Sequence, residues 1–412
     1  CASSVPSRNS LLSWGAVPMT TINITYPAPV QSLYVHVPFC ATKCEYCAFY
    51  SEASGGEQMN RYVDALIREM ELVASSVKPR TVFFGGGTPS ILSLQQWQRI
   101  LTAMERLDLL GADEWTIECN PATVSTDKAS LFRHYGVNRI SMGVQSLDAD
   151  LLVRLGRIHS REMVFKSFDR LRGAGFENIN IDLMFAIPGQ TMETWQSTMD
   201  EAIALGSEHL SCYEVIYEED TPLYEQLQAG EFDVDEALAC AMYDRLIDTT
   251  AAAGFVQYEV ANFAHHEGKP DPELPSRACR HNINYWRAGA CQALGPSASG
   301  FVDGRRIRNV ANTERYCEQL ALGQRAHESV EQLSPQASAG ETAAFGLRMN
   351  AGWPFDVFTQ VTGHDLRIDW VGDMQRAVDA GWGVQTAERF YLTRKGLRFA
   401  DVIAEWFIRL EE

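Results

Sequence analysis

A chain of 412 residues is too long for one ordinary core and calls for one large domain with one or two smaller ones. Hydrophobic residues make up 46% and charged residues 21%, yet no apolar run approaches the roughly 18–20 residues of a membrane span, so the composition is that of a soluble globular protein. A net charge of −18 argues against a nucleic-acid surface, which needs clustered Lys and Arg.

Residues 1–18 hold several serines, one arginine and no acid, and the chain does not begin with Met. A transit-peptide remnant has this look, and so does sequence read through ahead of a start at Met19, which is the preferred reading. Residues 1–31 are therefore expected to be a flexible segment, and the protein is expected in the cytoplasm, or in an organellar stroma or matrix if the segment is a transit remnant.

Residues 32–36 read as a first strand. Immediately after it come Cys40, Cys44 and Cys47 with C-x3-C-x2-C spacing, the one tight group among ten cysteines. In a chain otherwise built like an intracellular enzyme, such a group suggests a soft-metal or iron–sulfur site more than a disulfide framework. Three thiolates would leave one iron of a cubane open, whereas a structural zinc would normally find a fourth Cys or His nearby. His36 is a weak fourth candidate because it alternates within the strand. Zinc and unligated core cysteines remain the alternatives.

A helix over 58–74 follows, with Met59, Tyr62, Val63, Leu66, Ile67 and Met70 at helical spacing. Further strands read at 81–84, 114–118, 138–142, 178–184 and 208–215, each followed by helical sequence. Gly136, Gly175, Gly206 and Gly254 sit where left-handed C-caps end helices. Six such units predict a parallel sheet of the partial, open (β/α)6 barrel type, with a doubly wound sheet as the alternative. The first strand carries Tyr34. Just beyond strand two lies Gly85-Gly86-Gly87-Thr88-Pro89, whose glycines allow close backbone approach. Strand three ends at Glu118, strand four runs into Gln145, strand five carries Asp182, and strand six carries Tyr213 and Glu214. Parallel barrels collect their chemistry at the carboxyl ends of strands, so these groups should converge where the cysteine loop lies.

These motifs together resemble the radical S-adenosylmethionine (SAM) superfamily, in the branch related to oxygen-independent coproporphyrinogen oxidase, over residues 32 to the C-terminus. The resemblance implies a 4Fe-4S cluster on Cys40, Cys44 and Cys47, whose open iron chelates the amino and carboxyl groups of SAM. It also implies an electron donor for the cleavage of SAM to a 5′-deoxyadenosyl radical. By match to the family motifs, Tyr34 and the backbone near Phe49 flank SAM, Gly86, Gly87 and Thr88 meet its amino-acid part, and Glu118 binds hydroxyls. Gln145, Arg157 and Asp182 complete that pocket. The bland alternative for Arg157 is a surface helix arginine.

The oxidase of this branch typically has Cys-x3-Cys-x2-Cys-x-Cys and a longer N-terminal arm, where this chain has Cys47-Ala48-Phe49. Together with His281-Asn282-Ile283-Asn284-Tyr285-Trp286, this looks like the HemW group of heme chaperones. Such a string has physical sense, since histidine serves as an axial iron ligand and Tyr285 and Trp286 offer flat contact to a porphyrin. The resemblance thus implies a protein that binds heme through His281 and passes it to an acceptor protein. The alternatives are a coproporphyrinogen III oxidase or another radical SAM enzyme, and, for His281, a packed interdomain histidine. Two positions depart from the pattern: Ala186 stands where glycine is usual, and Ser299 where related proteins have histidine.

Residues 261–330 read as a connecting region and 331–412 as a winged-helix-type domain, helical from Glu341 and closing with a hairpin near 388–396 and a helix. Beyond Arg394, Lys395 and Arg398 nothing in it supports DNA binding, so it is expected to pack on the barrel and cover its mouth. Self-association into a homodimer is compatible with this reading.

Overall fold

The computed structural model describes residues 29–53, 55–268 and 274–409. The N-terminal expectations for residues 1–28 lie outside the described residues. Residues 30 and 31, expected in the flexible segment, already belong to the first strand.

Six parallel strands alternate with helices: β1 (Val30–Val37), β2 (Val77–Gly86), β3 (Glu114–Cys119), β4 (Arg139–Gln145), β5 (Ile179–Phe185) and β6 (His209–Glu214). Their apolar faces pack on α1 (Gly56–Val73), α2 (Leu94–Arg106), α3 (Thr126–His134), α5 (Arg161–Gly173) and α6 (Met192–Ala204), while α4 (Ala149–Arg154) packs Leu151 into a smaller cluster with Met184 and Val215. In α1 the buried Met59, Tyr62, Val63, Leu66, Met70 and Val73 recur every three or four residues, which is the stripe a helix needs to seat on a sheet. Four of the five crossovers are punctuated by chemistry that the sequence dictates. Ser93, Ser125, Ser160 and Thr191 accept a backbone N–H at the start of their helices, each worth about 1 kcal/mol. Gly136, Gly175 and Gly206 end α3, α5 and α6 with positive φ, as the C-cap reading expected.

The sheet does not stop at six strands. After α7 (Pro222–Gln228) and α8 (Glu236–Ala252), which Gly254 ends with the same positive φ, the short β8 (Asn262–His265) adds antiparallel to β6, and β7 (Phe255–Gln257) adds antiparallel to β8 at the outer edge. Past α9 (Arg280–Trp286), β9 (Gln292–Leu294) adds parallel to β1, giving the nine-strand order β7-β8-β6-β5-β4-β3-β2-β1-β9. The barrel is thus an open (β/α)6 sheet extended at both edges by short strands, of which β8 and β9 lie in the segment read as a connector and β7 just ahead of it.

Residues 335–407 fold around a second core of Trp353, Phe358, Trp370, Phe390 and Phe407, with a three-stranded antiparallel sheet of 353–354, 389–392 and 383–385. This unit packs on the flank of the barrel: Val260 N–H donates to the Arg348 carbonyl (3.1 Å) and Asn350 N–H to that of Tyr258 (3.0 Å). Arg394 pairs with Asp248 (2.6 Å) and Arg398 with Asp244, both on α8, so two of the three basic residues singled out in this region face the barrel. The expectation that the unit covers the barrel mouth is corrected, because it seats against α8 and α9 while the lining of the mouth comes from residues 34–285.

Candidate functional site

A cavity of about 690 Å³ opens at the carboxyl ends of the parallel strands, within the range of small-molecule sites. The residues assigned to the cluster and SAM line it, as does His281: Tyr34, Cys40, Cys44, Cys47, Phe49, Gly86, Gly87, Thr88, Glu118, Gln145, Arg157, Asp182 and His281, whereas Trp286 of the same motif does not.

The cysteine loop leaves β1 through Pro38 and is closed by a short bridge of Phe39 with Glu52, in which Cys40 N–H donates to Glu52 O (3.1 Å) and Glu52 N–H to Pro38 O (2.7 Å). Its far end is held by His36, whose Nε2 meets the Tyr50 carbonyl (2.9 Å) while Nδ1 meets the Tyr34 hydroxyl (3.0 Å). His36 therefore belongs to the wall of the sheet, and burial lowers its pKa and keeps the ring neutral. The three thiols are half-buried, with Cys40 Sγ 3.6 Å from Thr88 Oγ1 and Cys44 Sγ 3.4 Å from Arg157 Nη1. Burial raises the Cys47 thiol. Among the described residues no group of three or more His, Cys, Asp or Glu has the geometry for a single metal ion. A cubane does not ask for that geometry, since each thiolate there holds a different iron. Three soft donors on one loop, facing a cavity, fit such a cluster.

The glycine loop lies against the cysteine loop. Gly87 N–H donates to Val37 O (2.9 Å) and Thr88 N–H to Phe39 O (2.7 Å). Gly86 has φ +107°, and a Cβ there would overlap the His36 ring; one at Gly87 would stand 2.7 Å from Phe39 O. No side chain fits, so the backbone itself forms this wall of the cavity. Gly86 N–H donates to Glu118 Oε2 (3.1 Å). Burial first, and the charge of Asp182 second, push the Glu118 carboxyl up to about 8. Asp182, also raised by burial, accepts from Asn180 Nδ2 (2.7 Å) and Ser141 Oγ (3.2 Å). Gln145, the residue that ends β4, is held in left-handed backbone with φ +68°, a conformation that non-glycine residues rarely adopt and that favours functional sites. The surface-helix alternative for Arg157 is set aside, because its guanidinium also donates to the Gly143 carbonyl (2.5 Å) inside the site.

His281 sits on the cavity floor. Its Nδ1 meets Thr81 Oγ1 (3.0 Å), and its ring stacks on Phe83 at 5.1 Å. From Thr81 to Gly86 the strand rises about 16 Å, so this histidine lies well below the cysteine loop. Glu114 accepts the N–H groups of Arg280 (2.9 Å) and His281 (3.0 Å), pinning the start of α9. Burial pushes the His281 pKa down to about 3, and its Nε2 is buried without a partner.

Sequence reasoning missed the inward polar residues between these positions. Arg139 is buried, as are Ser141, Asn180 and Ser211, and they surround Asp182 from β4, β5 and β6. Their signal was present as polar residues two apart along strands, such as Asn180 and Asp182, within otherwise apolar runs.

Comparison with known proteins defines the class first. Residues 34–202 match the Radical SAM superfamily and residues 333–399 the HemN C-terminal domain. The solved structure of coproporphyrinogen III oxidase (HemN) from Escherichia coli superposes with a TM-score of 0.79, covering 93% of this chain and 91% of that one at 22% identity, which shows a shared fold. The heme chaperone HemW of Lactococcus lactis is 33% identical over 380 residues, 92% of this chain and 97% of its own length; HemW of Escherichia coli is 33% identical over 389 residues, 92% and 98%. A mitochondrial radical S-adenosyl methionine domain-containing protein 1 of Danio rerio is 34% identical over 78% of this chain and 73% of its own. The chain belongs to the HemW family of radical SAM proteins. A 4Fe-4S cluster and SAM are the cofactors of that superfamily.

Proposed function

We propose that this protein is a heme-binding chaperone built on a radical SAM scaffold, with Cys40, Cys44 and Cys47 holding the 4Fe-4S cluster. When bound, the cluster supplies an open iron for the amino and carboxyl groups of SAM and the electron for its cleavage. The chain's own residues prepare the place. Gly86 and Gly87 let the amino-acid part approach bare backbone, and Thr88 bounds it beside Cys40. Glu118 and Asp182 supply hydrogen-bonding oxygens for the hydroxyls of SAM, while Tyr34, the backbone at Phe49, Gln145 and Arg157 close the pocket. Heme binding is assigned to His281, and the observation that carries it is the buried Nε2 without a partner on a histidine that lines the cavity. Tyr285, which packs edge-on to the His281 ring at 5.2 Å, would flank the porphyrin, whereas Trp286 turns away from the cavity onto Phe345 and Arg348, which corrects its expected role there. An acceptor protein then receives the heme.

The test is an anaerobic assay of reconstituted protein with coproporphyrinogen III, SAM and a reductant. Absence of decarboxylation, with hemin bound by the same preparation, is expected of a chaperone. Porphyrinogen turnover with release of 5′-deoxyadenosine would make the chain an oxidase.

A further inference from the structure

The loop between α4 and α5 does more than line the cavity, for it grips the cysteine loop. Glu45 N–H donates to the Leu155 carbonyl (3.2 Å), and Gly156, with φ +68°, is so close that a Cβ there would stand 3.1 Å from Glu45 Cγ. The next residue is Arg157. One arm of its guanidinium is fixed on the Gly143 carbonyl (2.5 Å) and the other reaches Cys44 Sγ (3.4 Å). The group is thus oriented by the barrel's own backbone before any ligand arrives. We propose that Arg157 is a redox-positioning residue, whose N–H to the Cys44 sulfur raises the reduction potential of the cluster on Cys40, Cys44 and Cys47.

The proposal rests on the cluster assignment above. Reduction adds one electron, and so one negative charge, to a cluster whose ligands are already thiolates. A permanently charged guanidinium, half-buried and donating to one of those sulfurs, stabilises the reduced form more than the oxidised form. Hydrogen bonds to cluster sulfurs and the burial around them are the established means by which proteins set such potentials. Among the described residues Arg157 is the guanidinium found within hydrogen-bond reach of a thiol of this loop.

The experiment uses full-length protein reconstituted anaerobically, without SAM, in a dithionite titration followed by electron paramagnetic resonance. Iron and sulfide are measured on the same samples. Arg157→Gln is expected to keep the parent's iron content and to lower the reduced-to-oxidised ratio at a fixed potential about tenfold, which is 59 mV for one electron. Arg157→Lys, which keeps the charge but loses the fork, is expected to fall between the two. It also decides the question if the Gln variant fails to load. Potentials equal to the parent's at equal iron content, or a shift seen only once SAM is added, would overturn the proposal. A parent protein that assembles no 4Fe-4S cluster would instead overturn the cluster assignment itself.

Discussion

Glu118 gives the most quantitative handle on the cavity. Its carboxyl is raised from 4.5 to about 8, because its surroundings disfavour charge and Asp182 lies nearby, against the smaller pull of Gly86 N–H and Arg139. In the unfolded chain it ionises near 4.5, so between pH 4.5 and about 8 the folded state holds a proton that the unfolded state has lost. The stability linked to this group is complete below pH 4.5 and is lost as pH rises through the folded value. At about 1.4 kcal/mol per pH unit, the loss by pH 7 has a ceiling of about 3 kcal/mol, and water reaching the carboxyl through the cavity brings it below that. Glu118→Gln keeps the shape, and its amide oxygen can accept the Gly86 N–H, but it has nothing to ionise. In urea unfolding of cluster-free protein, the variant should match the parent within about 1 kcal/mol at pH 5 and exceed it by 1 to about 3 kcal/mol at pH 7.5. A difference that stays flat across this range, or a parent more stable than the variant at pH 7.5, would show that Glu118 is ionised in the empty cavity.

Other consequences are simpler to read. Gly87→Ala must push a methyl against Phe39 O at the mouth of the cysteine loop, so it should cost about 1–3 kcal/mol in chemical unfolding and lower the iron retained after reconstitution. Tyr316→Phe removes the hydroxyl that donates to buried Glu69 (2.6 Å), leaving the carboxylate with Gly295 N–H and Asn309; unfolding measurements at pH 7 should show a loss of about 1.5–3 kcal/mol. Arg394→Ala removes exposed contacts with Asp248 and with the carbonyl and carboxylate of Asp244, and should change stability by less than about 1 kcal/mol, a difference that shrinks further in high salt.

The parallel sheet was legible because most of its strands are apolar runs, and α3, α5 and α6 each open on a capping Ser or Thr and close on a glycine. Boundaries moved by only a few residues, β2 most of all, since Val77 to Arg80 mixes charges with the apolar positions. The cysteine and glycine loops were legible because their chemistry is local and dense. What escaped was non-local. β7, β8 and β9 are three or four residues long and draw their order from the strands beside them, so no period announces them. The depth of His281 depends on Thr81 and Glu114, some two hundred residues earlier in the chain. The grip of Arg157 on Cys44 likewise spans more than one hundred residues. Ala186 illustrates a departure that the backbone explains: with φ +58° it occupies the left-handed region, which is why glycine suits that turn.

The most direct test is a hemin titration of anaerobically reconstituted protein, set beside His281→Ala and Cys40→Ala. Binding in the parent, retained in Cys40→Ala and lost in His281→Ala, is the result expected of a chaperone that holds heme at the cavity floor, apart from its cluster. Binding that survives in His281→Ala, or vanishes with Cys40, would contradict that assignment and move the heme site away from α9.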